Sequence, residues 1–210
     1  LPIGKLISAD EAEALLLDNL KKREEEWHDA TWELARFYST TGRQQIAFEY
    51  MERLIASTDD LERKAACYLS MGQIMEQIEN FEAAVAFYSK AFSLEPTNTS
   101  VWYLINNNLG YCLNYFGRYA EAESYCRAAI SIDPQRYNAY KNLGISLEGQ
   151  GCFAEAAKQY ISAVRANASD PRAFHLLEKL VTERPKIAQE MPDISVQLGK
   201  CRDSVEFAAK

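Results

Sequence analysis

Histidine is scarce in this sequence. The only two, His28 and His175, fall in its outermost predicted helices. Metal centres and nucleophile–base pairs need several such side chains brought together. No glycine-rich phosphate loop stands out either, since Gly149-Gln150-Gly151 is typical of a helix end followed by a turn. We therefore expect no catalytic residue, no metal site and no cofactor, and predict that the chain is not an enzyme.

A basic stripe is also missing. The 210 residues include 23 lysines and arginines against 30 aspartates and glutamates, which gives a formal net charge of −7. Nucleic-acid binding needs clustered cations to neutralise phosphates, so we expect no nucleic-acid partner. The run at residues 21–26, KKREEE, nearly cancels itself and is predicted to be a solvated helix face.

Long apolar runs are absent. No stretch approaches the roughly 18 apolar residues that cross a bilayer, and the first residues lack the apolar core of a signal peptide. These features predict a soluble protein without membrane insertion. The first residue is Leu1 rather than Met, so an upstream segment or fused domain remains open.

The five cysteines are odd in number and have no metal-type spacing. This favours reduced thiols and a cytoplasmic location. Cys112 and Cys126 fall at similar heights on two helices that we predict to be paired. A disulfide between them would indicate an oxidising compartment instead.

One pattern recurs four times along the chain. It consists of an apolar residue next to glycine or alanine, a turn, and then an alanine followed four residues later by a large or aromatic residue. The two clearest copies are offset by 34 residues, from Gly110 to Gly144 and from Ala122 to Ala156. The other two copies centre on Gly72 with Ala84 and Tyr88, and on Ala35 with Ala47 and Met51.

Each copy is predicted to form two antiparallel helices, because apolar residues recur three and four positions apart in each half. Gly42, Gly117 and Gly151 lie where a first helix should end in a left-handed residue. Asp133-Pro134 and Asp170-Pro171 offer an N-cap and a first-turn proline for the next helix. The glycines and alanines of the repeat are expected to mark close approaches between neighbouring helices.

The pattern over residues 28–171 resembles the tetratricopeptide repeat. The resemblance implies an all-α, right-handed α-α superhelix of about four helix-turn-helix repeats, at 28–61, 65–98, 103–136 and 137–171. Residues 1–27 would form an N-terminal capping helix, and residues 172–210 a C-terminal helix and cap. The offsets from Ala47 to Ala84 and from Ala84 to Ala122, 37 and 38 residues, predict longer first helices in the second and third repeats.

The ends carry helix signals of their own. Ser8-Ala9-Asp10-Glu11 is a capping-box sequence before a leucine-rich stretch, and one long bent helix could join it to the next. Residues 171–183 predict a further first-type helix. Residues 193–208 predict a final helix with a single apolar stripe, which suits a lid over the last pair.

In this family the first helices line the concave face, and the resemblance implies which residues point at a ligand there. They are Trp32, Arg36, Leu69, Gln73, Leu104, Asn107, Asn108, Tyr111, Tyr115, Asn138, Lys141, Asn142 and Ile145. The amides of Asn108 and Asn142 are expected to engage the backbone of an extended peptide. In the alternative, these asparagines bond only neighbouring helices or water.

Together these features predict a protein–protein interaction scaffold or adaptor that binds a protein or peptide segment in its concave groove. Two alternatives remain open. The chain could be the recognition domain of a larger enzyme or signalling regulator. It could also be a self-assembling homo-oligomer in which the groove receives a neighbour's terminal helix or residues 193–208.

Overall fold

A computed structural model describes residues 8–22 and 27–209 of the chain. This part forms twelve helices and no strand. The side chains of the charge run at 21–26 and the predicted junction between the first two helices lie outside the described residues. The helices are α1 (Ala9–Lys22), α2 (Trp27–Thr40), α3 (Gln44–Ser57), α4 (Leu61–Gln77), α5 (Phe81–Phe92), α6 (Thr99–Tyr115), α7 (Tyr119–Ile132), α8 (Tyr137–Gly149), α9 (Phe153–Ala166), α10 (Arg172–Glu183), α11 (Ile187–Glu190) and α12 (Ile194–Ala208).

The helices divide into two compact units after Pro96. In the first unit, α2 pairs with α3 and α4 with α5, while α1 packs on α2. The predicted capping box of α1 is confirmed, because the Glu11 amide donates to the Ser8 hydroxyl and the Ser8 amide donates to the Glu11 carboxylate. The Tyr38 hydroxyl of α2 donates to the Glu13 carboxylate of α1 over 2.9 Å, which links the two helices.

The core of the first unit is a continuous apolar cluster. Its fully buried members come from α2, α3 and α4, and include Leu34, Met51, Leu54 and Ile74. Burying a side chain of this size stabilises a fold by about 1.5–3 kcal/mol, so the cluster is the main source of cohesion in this unit.

In the second unit, α6 pairs with α7 and α8 with α9, and α10 to α12 close the C-terminal end. Helix α12 packs on α9 and α10, as predicted for a lid. Two side-chain bonds fix it, from Arg165 to Gln197 at 2.9 Å and from Arg202 to Glu178 at 2.8 Å. No helix in the described ranges combines the length and the apolar character that crossing a membrane requires.

The turn between paired helices has one geometry in all four copies. Gly42, Gly117 and Gly151 have φ of 78°, 71° and 82°, which confirms the predicted left-handed stops. In the second copy Glu79 takes the same place with a φ of 60°. The amide of the residue after each of these four donates 2.9 Å to the carbonyl five residues earlier, as in a Schellman motif.

The predicted role of the Asp-Pro pairs is wrong for Asp133-Pro134 and confirmed for Asp170-Pro171. Helix α8 begins at Tyr137, and Asp133 accepts from the amide of Gln135 in the preceding turn. Asp170, in contrast, accepts from the amide of Arg172, the first residue of α10, and Pro171 already has helical φ and ψ of −76° and −7°. Asp170 and Pro171 therefore act as the predicted N-cap and first-turn proline. The Asp133 carboxylate closes a local turn and does not cap a helix, because its own backbone offers a nearer donor.

The repeat glycines contact side chains more closely than the predicted backbone, although at Gly110 a Cβ would also lie 3.3 Å from the Ala122 carbonyl oxygen of the neighbouring helix. A Cβ built on Gly72 or Gly144 would lie 2.4 Å from the ring of Tyr88 or Tyr160, and one on Gly110 would lie 2.5 Å from the sulfur of Cys126. The side chain four residues after each repeat alanine therefore fills the space above the glycine. The alanines are fully buried beside it, which lets that side chain lie flat between the helices.

The longer first helices are confirmed. Helices α4 and α6 have 17 residues each, against 14 in α2 and 13 in α8. The extra residues are at their N-termini, where Asp60 caps α4 and Asn98 caps α6 through their side chains.

Candidate functional site

Helices α6 and α8 lie side by side in the second unit and carry most of the predicted ligand residues. Between them runs a row of hydrogen-bonded polar side chains, which we call the polar seam. It consists of Asn107, Asn114, Asn142 and Ser146, each at most 8% exposed.

Each member of the polar seam bonds across the helix interface. The Asn142 amide donates to Asn107 Oδ1 over 3.1 Å, and the Asn114 amide donates to the Asn142 carbonyl over 2.8 Å. The Ser146 hydroxyl donates to Asn114 Oδ1 over 2.8 Å. A buried hydrogen bond contributes about 1 kcal/mol net, whereas a partner left unsatisfied costs about 1–3 kcal/mol. The seam therefore fixes the orientation of α8 on α6.

The structure separates the two asparagines that the sequence predicted to act together. Asn142 is 2% exposed and its amide is engaged by Asn107, so it is not available to a ligand in this conformation. Asn108 is half-buried and accepts from Asn107 over 3.0 Å. Asn108 and Asn142 hold the same place two residues before their repeat glycine, so packing rather than repeat position separates them: Asn142 packs against α6, where its amide meets Asn107.

The remaining predicted residues of this unit stay at least partly open to solvent. Tyr115 is 64% exposed. The half-buried ones are Leu104, Asn108, Tyr111, Asn138, Lys141 and Ile145. The accessible surface of α6 and α8 thus offers amide, phenol, ammonium and aliphatic groups. We call these seven residues the first-helix surface.

The predicted residues of the first unit range from buried to exposed. Leu69 is 5% exposed and belongs to the interior, and Trp32 is half-buried against the apolar core. Arg36 is exposed and pairs with Glu33 over 3.4 Å, while Gln73 is half-buried. Leucine and tryptophan at these positions are held by the burial of apolar area within their own unit.

Ser146 was not among the predicted residues. A signal for it exists, because a serine one turn after Asn142 lies between Leu143 and Leu147 on a face that is otherwise apolar. Polar groups in such places are almost always hydrogen-bonded.

A tyrosine–glutamate bond accompanies the glycine contact in two repeats. Tyr160 donates to Glu148 over 2.7 Å, and Tyr88 donates to Glu76 over the same distance. Burial and the adjacent carboxylate raise the pKa of Tyr160 above its ordinary range. The Tyr160 phenol therefore stays protonated and serves as a donor.

The thiols offer no reactive nucleophile in the interior. All five cysteines are free. Burial raises the pKa of Cys67 and Cys126 to about 12, which keeps them as thiols at neutral pH. Within the described ranges no three histidine, cysteine or carboxylate side chains come together as a metal site.

Sequence comparison agrees with this architecture. Two models of the tetratricopeptide repeat match residues 65–98 and 115–201, together more than half of the chain. The chain belongs to the tetratricopeptide repeat family.

Its relatives are longer proteins. Tetratricopeptide repeat-containing protein trd-1 of Caenorhabditis elegans is 25% identical over 60% of this chain and 16% of its own length. Tetratricopeptide repeat protein 7B of Homo sapiens is 29% identical over 48% of this chain and 11% of its own length. The BBSome complex member BBS4 homolog of Drosophila melanogaster is 23% identical over 77% of this chain and 32% of its own length. The match thus covers a third or less of each of these relatives.

Solved structures share the tetratricopeptide repeat fold. MamA of Desulfovibrio magneticus RS-1 superposes with a TM-score of 0.67 at 16% identity, over 86% of this chain and 96% of that one. YrrB, described as a TPR protein with an unusual peptide-binding site, gives a TM-score of 0.66 at 17% identity. The superposition covers 92% of this chain and 97% of YrrB. At these identities the likeness concerns the fold alone.

Proposed function

We propose that this tetratricopeptide repeat chain is a non-enzymatic scaffold or adaptor that binds an extended segment of another protein on its first-helix surface. The observation that carries the proposal is the polar seam beneath that surface. It holds α6 and α8 in one relative orientation, so the groups above it are presented without a large ordering cost on binding.

The chemistry of the first-helix surface suits a peptide. The Asn108 amide provides both a donor and an acceptor for a peptide backbone, and Tyr111 and Ile145 provide apolar area for a side-chain anchor. Lys141 adds a positive charge for an acidic group. Surfaces of this kind typically bind with micromolar affinity, about −8 kcal/mol.

The proteins of similar fold also support a peptide-binding function. YrrB is described as having a peptide-binding site, and its fold covers nearly all of this chain. The proposed partner is therefore a protein or peptide, without a nucleic acid or cofactor. A cytoplasmic location follows from the reduced thiols and is part of the same proposal.

The test compares capture of partners by the wild type and by a Tyr111→Ala/Lys141→Ala double variant from a lysate of the source cells. Both residues are half-buried on the outer side of the seam, so the variant should keep its helicity by circular dichroism. We expect mass spectrometry to find at least one protein that the variant recovers about tenfold less. A Lys158→Ala variant, altered at an exposed residue of α9, is the control. Equal recovery by all three proteins contradicts the proposal.

The length of the relatives favours a second function, as the recognition part of a longer protein. The match covers only 16% of trd-1 and 11% of protein 7B. In that arrangement the first-helix surface would select a target for activity located elsewhere. Reading the complete open reading frame tests this, since a frame that ends with these residues contradicts it.

A further inference from the structure

Two clefts in the second unit share a wall, outside the polar seam. The first has a volume of ≈ 510 Å³, and its apolar lining includes Tyr119, Ile145 and Leu176. The second has a volume of ≈ 420 Å³ and is lined by residues that include Pro185 and Ile187. Phe153 and Arg184 belong to the lining of both.

Arg184 lies at the boundary between the clefts. Its guanidinium carbon is 4.8 Å from the centroid of the Phe153 ring, a cation–π geometry. The side chain is exposed, and no ion pair joins it to a carboxylate in the described part of the chain. Stacking on the ring holds the charged group in place while its in-plane N–H donors stay free for a ligand.

The aromatic residue at the corresponding position of the preceding repeat, Tyr119, has a different contact. Tyr119 begins α7 as Phe153 begins α9, and the Tyr119 ring covers Gly149, where a Cβ would meet it at 2.5 Å. The backbone of Gly149 therefore packs against the Tyr119 ring, whereas the Arg184 guanidinium packs against the Phe153 ring. The rings that begin α7 and α9 are thus covered differently, the second by a cation.

The acidic residues of the clefts lie away from this boundary or already have partners. Glu148 accepts the Tyr160 hydroxyl over 2.7 Å, and Glu183 is 4.0 Å from the Lys179 ammonium. Glu190 lines the second cleft only. At the boundary itself the group without a charged partner is the Arg184 guanidinium.

We propose that these clefts bind an internal, extended segment of a partner protein with the order apolar, acidic, apolar. One apolar side chain fills each cleft, and the acidic side chain between them pairs with Arg184. The clefts continue on both sides of Arg184, so the bound chain passes over it and does not end there. This inference deepens the proposed protein-binding function and rests on it, since Ile145 belongs to both surfaces.

The test uses phage-displayed random peptides fused through a linker, so that each peptide is an internal segment with no free carboxyl end. Selection on the wild-type chain is expected to enrich sequences with aspartate or glutamate between two apolar residues. The enriched peptides, synthesised with a blocked C-terminus, should bind Arg184→Gln about tenfold more weakly than wild type, as expected for the loss of one charge-assisted pair.

Two comparisons control this result. Lys158→Gln removes one exposed charge outside both clefts and should leave affinity unchanged. Replacing the peptide's acidic residue by its amide should reproduce the loss seen with Arg184→Gln. Enrichment without acidic residues, or equal binding to Arg184→Gln, overturns the inference. If binding then depends on Tyr111 and Lys141, the proposed function survives without it, and if no peptide is enriched, the inference fails.

Discussion

The ring of Tyr160 lies so close over Gly144 that a Cβ on the glycine would come within 2.4 Å of a ring carbon. The ring is fully buried and its hydroxyl donates to Glu148, which restrains the ring over the glycine. Glycine is unfavourable in a helix by about 1 kcal/mol relative to alanine. Here the close ring contact outweighs that preference.

The first prediction concerns this contact. Gly144→Ala should lower the free energy of unfolding by about 1–2 kcal/mol, because overpacking a buried contact costs more than the gain in helix propensity. Gly199→Ala is the matched control. It also lies inside a helix, but its Cβ would meet nothing within 4 Å, so it should stabilise by up to about 1 kcal/mol.

Urea unfolding followed by circular dichroism measures both variants. Stabilisation by Gly144→Ala would contradict the close contact. Equal changes at both sites would show that helix propensity alone determines the result.

The second prediction concerns the turn of the second repeat. Glu79 holds a left-handed φ of 60° that glycine occupies in the other three turns. For a non-glycine residue this conformation is unfavourable by roughly 1–2 kcal/mol. We expect Glu79→Gly to raise the free energy of unfolding by about 0.5–1 kcal/mol, less than the full strain because glycine also gains entropy in the unfolded chain.

Gly117→Ala is the opposite substitution at the corresponding turn, where φ is 71°. It should destabilise by about 1 kcal/mol. Thermal unfolding of the two variants and the wild type measures both effects. The Tm should rise for Glu79→Gly and fall for Gly117→Ala. A lower Tm for Glu79→Gly argues against strain at this turn.

The third prediction concerns the polar seam. Asn142→Ala removes a donor to Asn107 and leaves a buried acceptor without its partner. We expect a loss of about 1–3 kcal/mol in the free energy of unfolding. Asn108→Ala, at a half-buried position beside it, should cost less than about 1 kcal/mol.

This expectation differs from that of the sequence, which predicted that both asparagines engage the backbone of a bound peptide. Chemical unfolding of the two single variants distinguishes the two views. An unchanged midpoint for Asn142→Ala would mean that the seam contributes little.

The fourth prediction concerns pH. The Arg172 guanidinium, 2.9 Å from the Asp170 carboxylate, and the Tyr137 hydroxyl, at 2.6 Å, hold the pKa of Asp170 well below its ordinary value of 3.8. Because the folded pKa is lowered, the stabilisation is present above the unfolded pKa and is lost as pH falls through the folded one. Asp170→Asn should therefore lower Tm at pH 7 by roughly a few degrees, and the difference should shrink below about pH 4.

Asp203→Asn, at an exposed aspartate of α12, serves as the control for a simple change of net charge. Calorimetric scans across acidic and neutral buffers measure the difference from wild type. A gap between Asp170→Asn and wild type that persists unchanged into acid would show that the carboxylate's ionisation is not what stabilises the turn.

Features repeated along the sequence were the ones that could be predicted. The offsets between Gly110 and Gly144 and between Ala84 and Ala122 gave the helix pairs and the longer α4 and α6, because each copy must meet the same neighbours. The left-handed turns followed from the chemistry of glycine. Glu79 escaped prediction because its strain is imposed by the flanking helices rather than by its own preference.

The candidate site was harder to predict because the rotation of each helix is decided by packing. Asn108 and Asn142 hold equivalent repeat positions, yet Asn142 is enclosed at the α6–α8 interface and Asn108 is half-buried. Asn107, one residue and about 100° away from Asn108, belongs to the polar seam. Arg184 lies after the end of a helix and matches no repeat position. Its contact with Phe153, 31 positions away in sequence, exists only in the folded chain.

Helix α12 is fastened by Gln197 to Arg165 and by Arg202 to Glu178, all within the last stretch of the chain. Extra repeats inserted ahead of α8 would leave those bonds and the α8–α9 pair untouched. Residues 137–208 are therefore a transferable terminator for protein engineering, which could close arrays of different lengths with the same end piece and so separate the choice of array length from the problem of solubility.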